Sequence, residues 1–371
     1  MTNHEFYMKL ALENARAMKG QTDPNPLVGS VIVNDNRIVG IGTHLKAGEP
    51  HAEIHALRMA GDKAKGGTIY VTLEPCSHHG RTGPCAVAIV EAGIRKAVIA
   101  TLDPNPVVAG NGVRILEEAG IEVTVGVMEE ESRRMNEVFN KFIVTQKPFI
   151  TMKAGSTLDG KIATHTADSK WITSAEARKD VHQLRNEHQA ILVGVNTVIE
   201  DDPELTTRIP NGRNPIRVIL DSTLRVPLES KVVKDGQADT WIFTAQHYDQ
   251  ESRKVLEERG ISVYPTSGAE RVDLDDVLRI LGEQLVSSVL VEGGGSIHAA
   301  FLEKRLVDKA EIYLAPKLIG GAQAPTFLEG TGIGLMRDAI ELDDLEITKI
   351  GKDFKFTGYP NYNTEQMRES D

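Results

Sequence analysis

The chain has only two cysteines, Cys76 and Cys85, among 371 residues. A small disulfide-stapled scaffold is excluded, and in a reducing compartment both thiols are free to be ligands. There is no run of eighteen apolar residues, which excludes a spanning helix of ordinary length. Positive charge is in deficit. The formal net charge is −11, so a phosphate backbone meets a repulsive long-range field and no nucleic-acid partner is expected. A small phosphorylated substrate stays open, because a few local Arg or Lys side chains and helix N-termini suffice to hold it. Internal repeats and low-complexity tracts are missing, and so is a signal peptide. The first residues alternate Phe6, Leu10, Ala11, Ala15 and Met18 with Glu5, Lys9, Glu13 and Arg16, which is an amphipathic helix, so the expected location is the cytoplasm. What remains is 40% hydrophobic and 26% charged, the proportions of a soluble globular chain long enough for two cores.

Turn chemistry and periodicity divide the chain. Residues 28–33 and 37–42 read as strands joined by the polar turn Asn34, Asp35, Asn36, a β-hairpin. Helical spacing follows over 52–60, a β-rich run over 68–73, a helix over 86–92, a strand over 97–101, a helix over 112–119 and a strand over 121–125. A hairpin followed by alternating helices and strands predicts an α/β sandwich on a mixed sheet. This first domain is expected to span 1–146, with the junction inside 139–150, where Pro148 disfavours helix at Lys147. A second α/β domain, 147–371, is expected from strands at 149–154, 190–193, 216–220, 240–244 and 288–291, helices at 174–187, 250–259 and 274–285, and further strands after Ala310. The polar stretch beyond Tyr359 is expected to fray.

The densest chemical signal is His51, Ala52, Glu53 followed by PCSHHGRTGPC, which carries Cys76 and Cys85. One imidazole and two thiolates give zinc three ligands and leave a fourth tetrahedral position open, the layout of a catalytic rather than a structural site. Both ligand groups fall where a loop or strand turns into a helix, whose N-terminus favours ionised cysteine. Glu53, two residues after His51, can face the same pocket without ligating, and is the candidate general acid and base. The pattern is that of the zinc nucleobase deaminases, except that the second cysteine follows the first by nine residues rather than three. HAE alone occurs by chance, and two cysteines alone suit a disulfide; the combination is what specifies a metal site. His78 and His79 duplicate no ligand the site still needs and read as loop residues.

In the second half, VLVEGGGSIHAAFL is a β-rich run entering Gly293, Gly294 and Gly295 and then a helix. Such a turn lets backbone amides approach a phosphate, but equally serves a strand-to-helix connection with no ligand. It lacks the GxGxxG of a doubly wound dinucleotide fold.

These motifs, with PNPLVGSVIV, GTHLKAGEPHAE, DPNP, KAGSTLDGKIA, SKWITS and VGVNTVIEDDPELTTR, resemble the family of bifunctional riboflavin-biosynthesis proteins over nearly the whole chain. The resemblance implies a cytidine-deaminase-like three-layer α/β/α domain with a mixed sheet, followed by a dihydrofolate-reductase-like α/β domain. It implies zinc-dependent deamination of 2,5-diamino-6-(5-phosphoribosylamino)pyrimidin-4(3H)-one, then NADPH-dependent reduction of the ribosyl group to ribityl. It points to Asn25, His44 and Arg81 as deaminase substrate contacts; the family often has Lys at the last, and Arg keeps the charge while changing a point to a fork. It points to Ala154, Trp171, Thr197, Asp201, Ser222, Gly294, Gly295, Ser296 and Ile297 as cofactor contacts, and to Ser169, Arg185, Leu205, Arg208 and Glu292 around the reductase substrate, with Lys153 and Asp201 as candidate polar partners in the reduction.

Without the resemblance, Trp171 would read as core, Asp201 with Asp202 as a helix end, and Arg185 as a solvated helix face. No clamp for the cofactor's 2′-phosphate is identifiable beyond a weak candidate, Arg225. A symmetric homo-oligomer, a dimer or tetramer, is expected. The competing readings are a zinc deaminase of a tRNA base or nucleoside with a C-terminal recognition domain, and a non-catalytic zinc module that would leave Glu53 without a task.

Overall fold

Along the run Val31, Ile32, Val33 successive side chains face opposite sides of a strand, and both sides are buried. That alternation calls for cover on two faces. A computed structural model describes residues 3–77, 83–105 and 109–362, in two compact units, Met1–Lys147 and Pro148–Asp371.

The first unit runs α1 (Asn3–Arg16), β1 (Gly29–Asn34), β2 (Arg37–Thr43), α2 (Ala52–Ala60), β3 (Thr68–Leu73), α3 (Cys85–Glu91), β4 (Lys96–Thr101), α4 (Asn111–Glu118), β5 (Glu122–Val125), α5 (Glu129–Met135) and α6 (Glu137–Thr145). The sheet order is β2-β1-β3-β4-β5, with β1 antiparallel to β2 and β3, and β3, β4 and β5 parallel. On one face Tyr7, Met8, Ala11 and Leu12 of α1 pack on Val31, Val33, Tyr70 and Val98. On the other, Ala52, Ala56 and Ala60 of α2 pack with Ile32, Ile69, Val71 and Ile99. The approach of α2 is unusually close: a Cβ on Gly40 would lie 2.2 Å from Ala56 O, and one on Gly42 2.0 Å from Ala52 O. Two glycines in β2 thus let the helix backbone rest on the strand, which fixes where its N-terminus falls.

The pair α5 and α6 has no counterpart in the sequence reading. Both are short, and between them only Ser132 and Phe142 are buried, so there was little apolar periodicity to find. Helix α6 ends with Gln146 in the left-handed conformation just before Lys147 and Pro148.

The second unit runs β6 (Phe149–Thr157), α7 (Ala175–Glu187), β7 (Ala190–Gly194), α8 (Val195–Asp201), β8 (Ile216–Leu220), α9 (Lys231–Lys234), β9 (Thr240–Thr244), α10 (Gln250–Glu258), β10 (Ser262–Pro265), α11 (Leu274–Glu283), β11 (Ser288–Val291), α12 (Gly295–Glu303), β12 (Lys309–Ala315), β13 (Glu341–Ile350) and β14 (Asp353–Asn361). Its sheet order is β10-β9-β8-β7-β11-β6-β12-β14-β13. From β10 to β12 every neighbour is parallel; β14 and β13 are antiparallel. Leu274, Val277, Leu278 and Leu281 of α11 and Phe301 of α12 cover one face, and Val195 and Val198 of α8 with Leu256 of α10 cover the other. Strand β11 returns late in the chain to lie between β6 and β7, and such a reversal opens a crevice at the strands' carboxyl ends. The stretch just beyond Tyr359, expected to fray, is held as far as Tyr362: β14 pairs with β13 up to Asn361, and Tyr362 donates its hydroxyl to Val307 O at 3.0 Å.

Candidate functional site

In the first unit, His51 caps α2, Glu53 lies in its first turn, Cys76 follows β3, and Cys85 opens α3. His51 Nδ1 is 3.6 Å from Cys76 Sγ and 3.4 Å from Cys85 Sγ, and the three donor atoms lie within 4.8 Å of one another. The backbone N–H of Cys85 donates to Cys76 Sγ at 3.3 Å. A hydrogen bond from Cys85 lowers the Cys76 thiol well below its ordinary value, and the same bond pushes Cys85 up. The hydrogen bond to Cys76 raises His51. One nitrogen and two sulfurs this close are a donor set for zinc, which favours the deprotonated form of all three.

Glu53 is buried, and its Oε2 has no partner. Burial raises its carboxyl to about 7, against the opposing pull of its own N–H and of His51. A buried carboxylate oxygen beside a zinc donor set, still lacking a partner, fits a site that takes a further polar group.

Asn25 and His44 converge on the same place. Asn25 Nδ2 donates to His44 Nε2 at 3.1 Å, because His44 Nδ1 donates to Pro50 O at 3.2 Å and leaves Nε2 as the acceptor. The His44 ring stands edge-on to His51, centroids 5.3 Å apart. Burial lowers the His44 pKa. Arg81, and with it His78 and His79, lies outside the described residues.

The sequence reading missed Glu74. Its buried carboxylate accepts four backbone N–H groups: Gly112 at 2.8 Å and Val113 at 3.2 Å on Oε1, Gly110 at 2.9 Å and Asp103 at 3.2 Å on Oε2. A Cβ on Gly112 would lie 2.0 Å from Pro75 O, so the start of α4 is locked against the chain leading into Cys76. The available signal was an acidic residue set directly between an apolar strand and the PC element.

In the second unit several residues expected to serve the reductase lie in the parallel strands or in the segments that follow them. Ala154 is buried in β6, Thr197 and Asp201 lie on α8 after β7, Ser222 follows β8, Gly294 caps α12 after β11, and Gly295, Ser296 and Ile297 open that helix. Two of the three glycines there have packing reasons. A Cβ on Gly293 would lie 2.6 Å from the Ile297 side chain, and one on Gly295 would lie 2.4 Å from Thr326 O. Only at Gly294, which caps α12, would it enter open space, leaving the helix start accessible to an approaching phosphate.

Arg185 is not a solvated helix residue. It donates from Nε to Glu292 Oε1 at 2.8 Å, from Nη2 to Oε2 at 3.1 Å and from Nη1 to Thr206 O at 3.1 Å, while Lys153 Nζ reaches Glu292 Oε2 at 3.2 Å. Burial works to raise the Glu292 pKa, but Arg185 and Lys153 prevail and hold it far below the carboxylate range. Arg208 is exposed, with Nε 3.2 Å from His182 Nε2 and Nη1 2.9 Å from Glu204. Leu205 is buried beside Thr206 at a φ of 52°, and Ser169 is half-buried in the β6–α7 connection. Trp171 is not core: it is 62% exposed, with the Arg178 guanidinium 4.4 Å over its ring and Lys317 Nζ on its carbonyl at 2.5 Å. Asp201 does end a helix, and Asp202 caps it while accepting Lys231 N–H at 2.8 Å.

Residues 1–101 match the model of the cytidine and deoxycytidylate deaminase zinc-binding region, and 148–356 match the RibD C-terminal domain. The riboflavin biosynthesis protein RibD of Bacillus amyloliquefaciens is 50% identical over 96% of both chains. The chain belongs to the RibD family. Among solved structures, RibD of Acinetobacter baumannii matches with a TM-score of 0.87 at 38% identity, covering 96% of this chain and 99% of that one. The diaminohydroxyphosphoribosylaminopyrimidine deaminase/5-amino-6-(5-phosphoribosylamino)uracil reductase of Thermotoga maritima matches with a TM-score of 0.83 at 37% identity over the same shares. As a RibD-family member the chain is a bifunctional enzyme of riboflavin biosynthesis, a zinc-dependent deaminase joined to a reductase of the NADPH-dependent type. The RibD match across the second unit decides against reading that half as a recognition domain for tRNA. No helix among the described residues is long and apolar enough to cross a membrane.

Proposed function

We propose that the first unit deaminates 2,5-diamino-6-(5-phosphoribosylamino)pyrimidin-4(3H)-one and that the second reduces the deaminated product to 5-amino-6-(5-phosphoribitylamino)uracil. The observation that carries the reading is the convergence of His51, Cys76 and Cys85 beside the buried carboxylate of Glu53, whose Oε2 has no partner. Those three donors would hold zinc, which when bound makes hydroxide available near neutral pH. Glu53 takes one proton from the attacking water and delivers it to the ring nitrogen, then takes the second from the added hydroxyl and delivers it to the amine, which leaves as ammonia as the C–N bond breaks and the carbonyl forms. Asn25 and His44, joined at 3.1 Å, offer polar groups to the pyrimidinone edge, and Arg81 offers its charge to the phosphate.

In the second unit NADPH supplies hydride when bound. Ala154, Trp171, Thr197, Asp201, Ser222 and the residues from Gly294 to Ile297 would line its course along the strand ends. Glu292 fixes Lys153 and Arg185 in one polar cluster, and together with Ser169, Leu205 and Arg208 these residues hold the open-chain sugar phosphate. The enzyme is proposed to be cytoplasmic, to bind no nucleic acid and to form a homo-oligomer. The oligomer is supported by the ten-residue edge strand β13, which leaves Leu345 and Ile347 exposed beside the exposed Phe354 of β14.

The test feeds the diaminopyrimidinone phosphate with and without NADPH and identifies products by mass. Without NADPH only the deaminated ribosyl compound is expected; with it, the ribityl compound. Ribityl product that retains the 2-amino group would overturn the order of the two steps.

A further inference from the structure

Asn136 stands at the junction of α5 and α6, with its side chain buried. Its amide meets the backbone of Leu27, 109 residues earlier, in both directions: Leu27 N–H donates to Oδ1 at 2.8 Å, and Nδ2 donates to Leu27 O at 3.0 Å. A side-chain amide carries acceptor and donor in the manner of a peptide group, so it completes Leu27 as a neighbouring strand would. One turn earlier on α5, the buried Ser132 donates its hydroxyl to Thr72 O at 2.6 Å, and Thr72 Oγ1 accepts Gly29 N–H at 3.1 Å. Two polar side chains of α5 and its junction thus hold the entry to β1 beside β3.

The chain that Leu27 anchors runs to the zinc donors. Thr22 to Asn25 form a turn of their own, closed by Asn25 N–H on Thr22 O at 2.9 Å and by Thr22 Oγ1 on Asn25 O at 3.1 Å. Pro26, which has no N–H to give, joins that turn to Leu27. On the other side of Leu27, Val28 O accepts His44 N–H at 3.0 Å. Asn25 Nδ2 in turn lies 3.1 Å from His44 Nε2, and the His44 ring stands against His51 with centroids 5.3 Å apart. The Asn25 amide is therefore brought to the donor set by a short loop whose root is the Leu27 backbone. Without the Asn136 amide a buried N–H and C=O lose their partners, which favours a shift of that root and carries Asn25 off His44.

We propose that Asn136 is a positioning residue of the deaminase, acting through Leu27 to set the Asn25 amide beside the zinc donors. The proposal rests on the reading of Asn25 as a substrate contact. It is tested on the full-length, zinc-loaded chain by ammonia release from the diaminopyrimidinone phosphate, with zinc content read by atomic spectroscopy. Asn136→Ala should raise KM about 10-fold, hold kcat within about 3-fold and keep its zinc. Asn136→Asp keeps the acceptor for Leu27 N–H but not the donor to Leu27 O; it serves if the alanine form does not fold, and should raise KM in the same way. The deciding measurement is the double variant. If Asn136 acts through Asn25, Asn25→Ala combined with Asn136→Ala should lose no more kcat/KM than Asn25→Ala alone. Losses that multiply in the double variant, or kcat and zinc falling together at an unchanged KM, overturn the positioning role and leave Asn136 a merely structural residue. Asn25→Ala with undiminished deamination overturns the reading of Asn25 itself, so the two failures are distinguishable.

Discussion

Glu53 and Glu292 are both buried carboxylates, and their neighbours send them in opposite directions. Burial prevails at Glu53. At Glu292 the charges of Arg185 and Lys153 overcome it. Glu53→Gln keeps the shape but cannot shuttle a proton, so metal content by atomic spectroscopy should persist while deamination falls by at least ~100-fold. Glu292→Gln should cost about 3–5 kcal/mol in a denaturant titration, because it leaves two cations without their buried counter-charge. The pH dependence has a definite sign. A carboxylate whose folded pKa is depressed adds stability above its unfolded pKa, about 4.3, and loses it as pH falls toward the folded value. The gap between wild type and Glu292→Gln should therefore be full at neutral pH and shrink below about pH 4; a gap that does not change with acidification would refute the ion-pair account. At this scale the sequence showed residue types but not partners. Arg217 illustrates the limit: a charged residue inside strand β8, it is fully buried, with both terminal nitrogens 2.7 Å from the Asp235 carboxylate eighteen residues away.

Elements were legible wherever their pattern was local. Helix α2 and strands β3, β8, β9 and β11 fall where spacing put them, because each is an uninterrupted periodic or β-rich run. The short helices α5, α6, α8 and α9 were not, since each buries at most two side chains. How the elements meet explains two otherwise unremarkable residues. In β2, Gly42→Ala would drive a methyl group into Ala52 O at the start of α2; it should lower the melting temperature and loosen zinc together. A melt unchanged from wild type would show that α2 can lift off the strand without cost. Glu74→Gln would turn an amide NH₂ toward backbone N–H groups that now donate to a carboxylate. It should cost about 1–3 kcal/mol and speed zinc loss to a chelator, followed by metal-indicator absorbance.

For the whole molecule, the two activities reside in units with separate cores. Zinc chelation should abolish deamination while NADPH oxidation continues on supplied deaminated product; loss of both would mean that the second unit depends on the metal of the first. The sequence by itself determined the donor chemistry, the candidate zinc ligand types, Glu53 as the proposed proton carrier and the α/β alternation, because these depend on residue identity and short-range spacing. Tertiary structure decided what those residues meet. His51 reaches partners 25 and 34 positions along the chain, and Arg185 finds Glu292 107 positions away. Contacts at such separations are fixed by strand order and by how closely a helix backbone can approach a sheet. No periodicity within one segment records either.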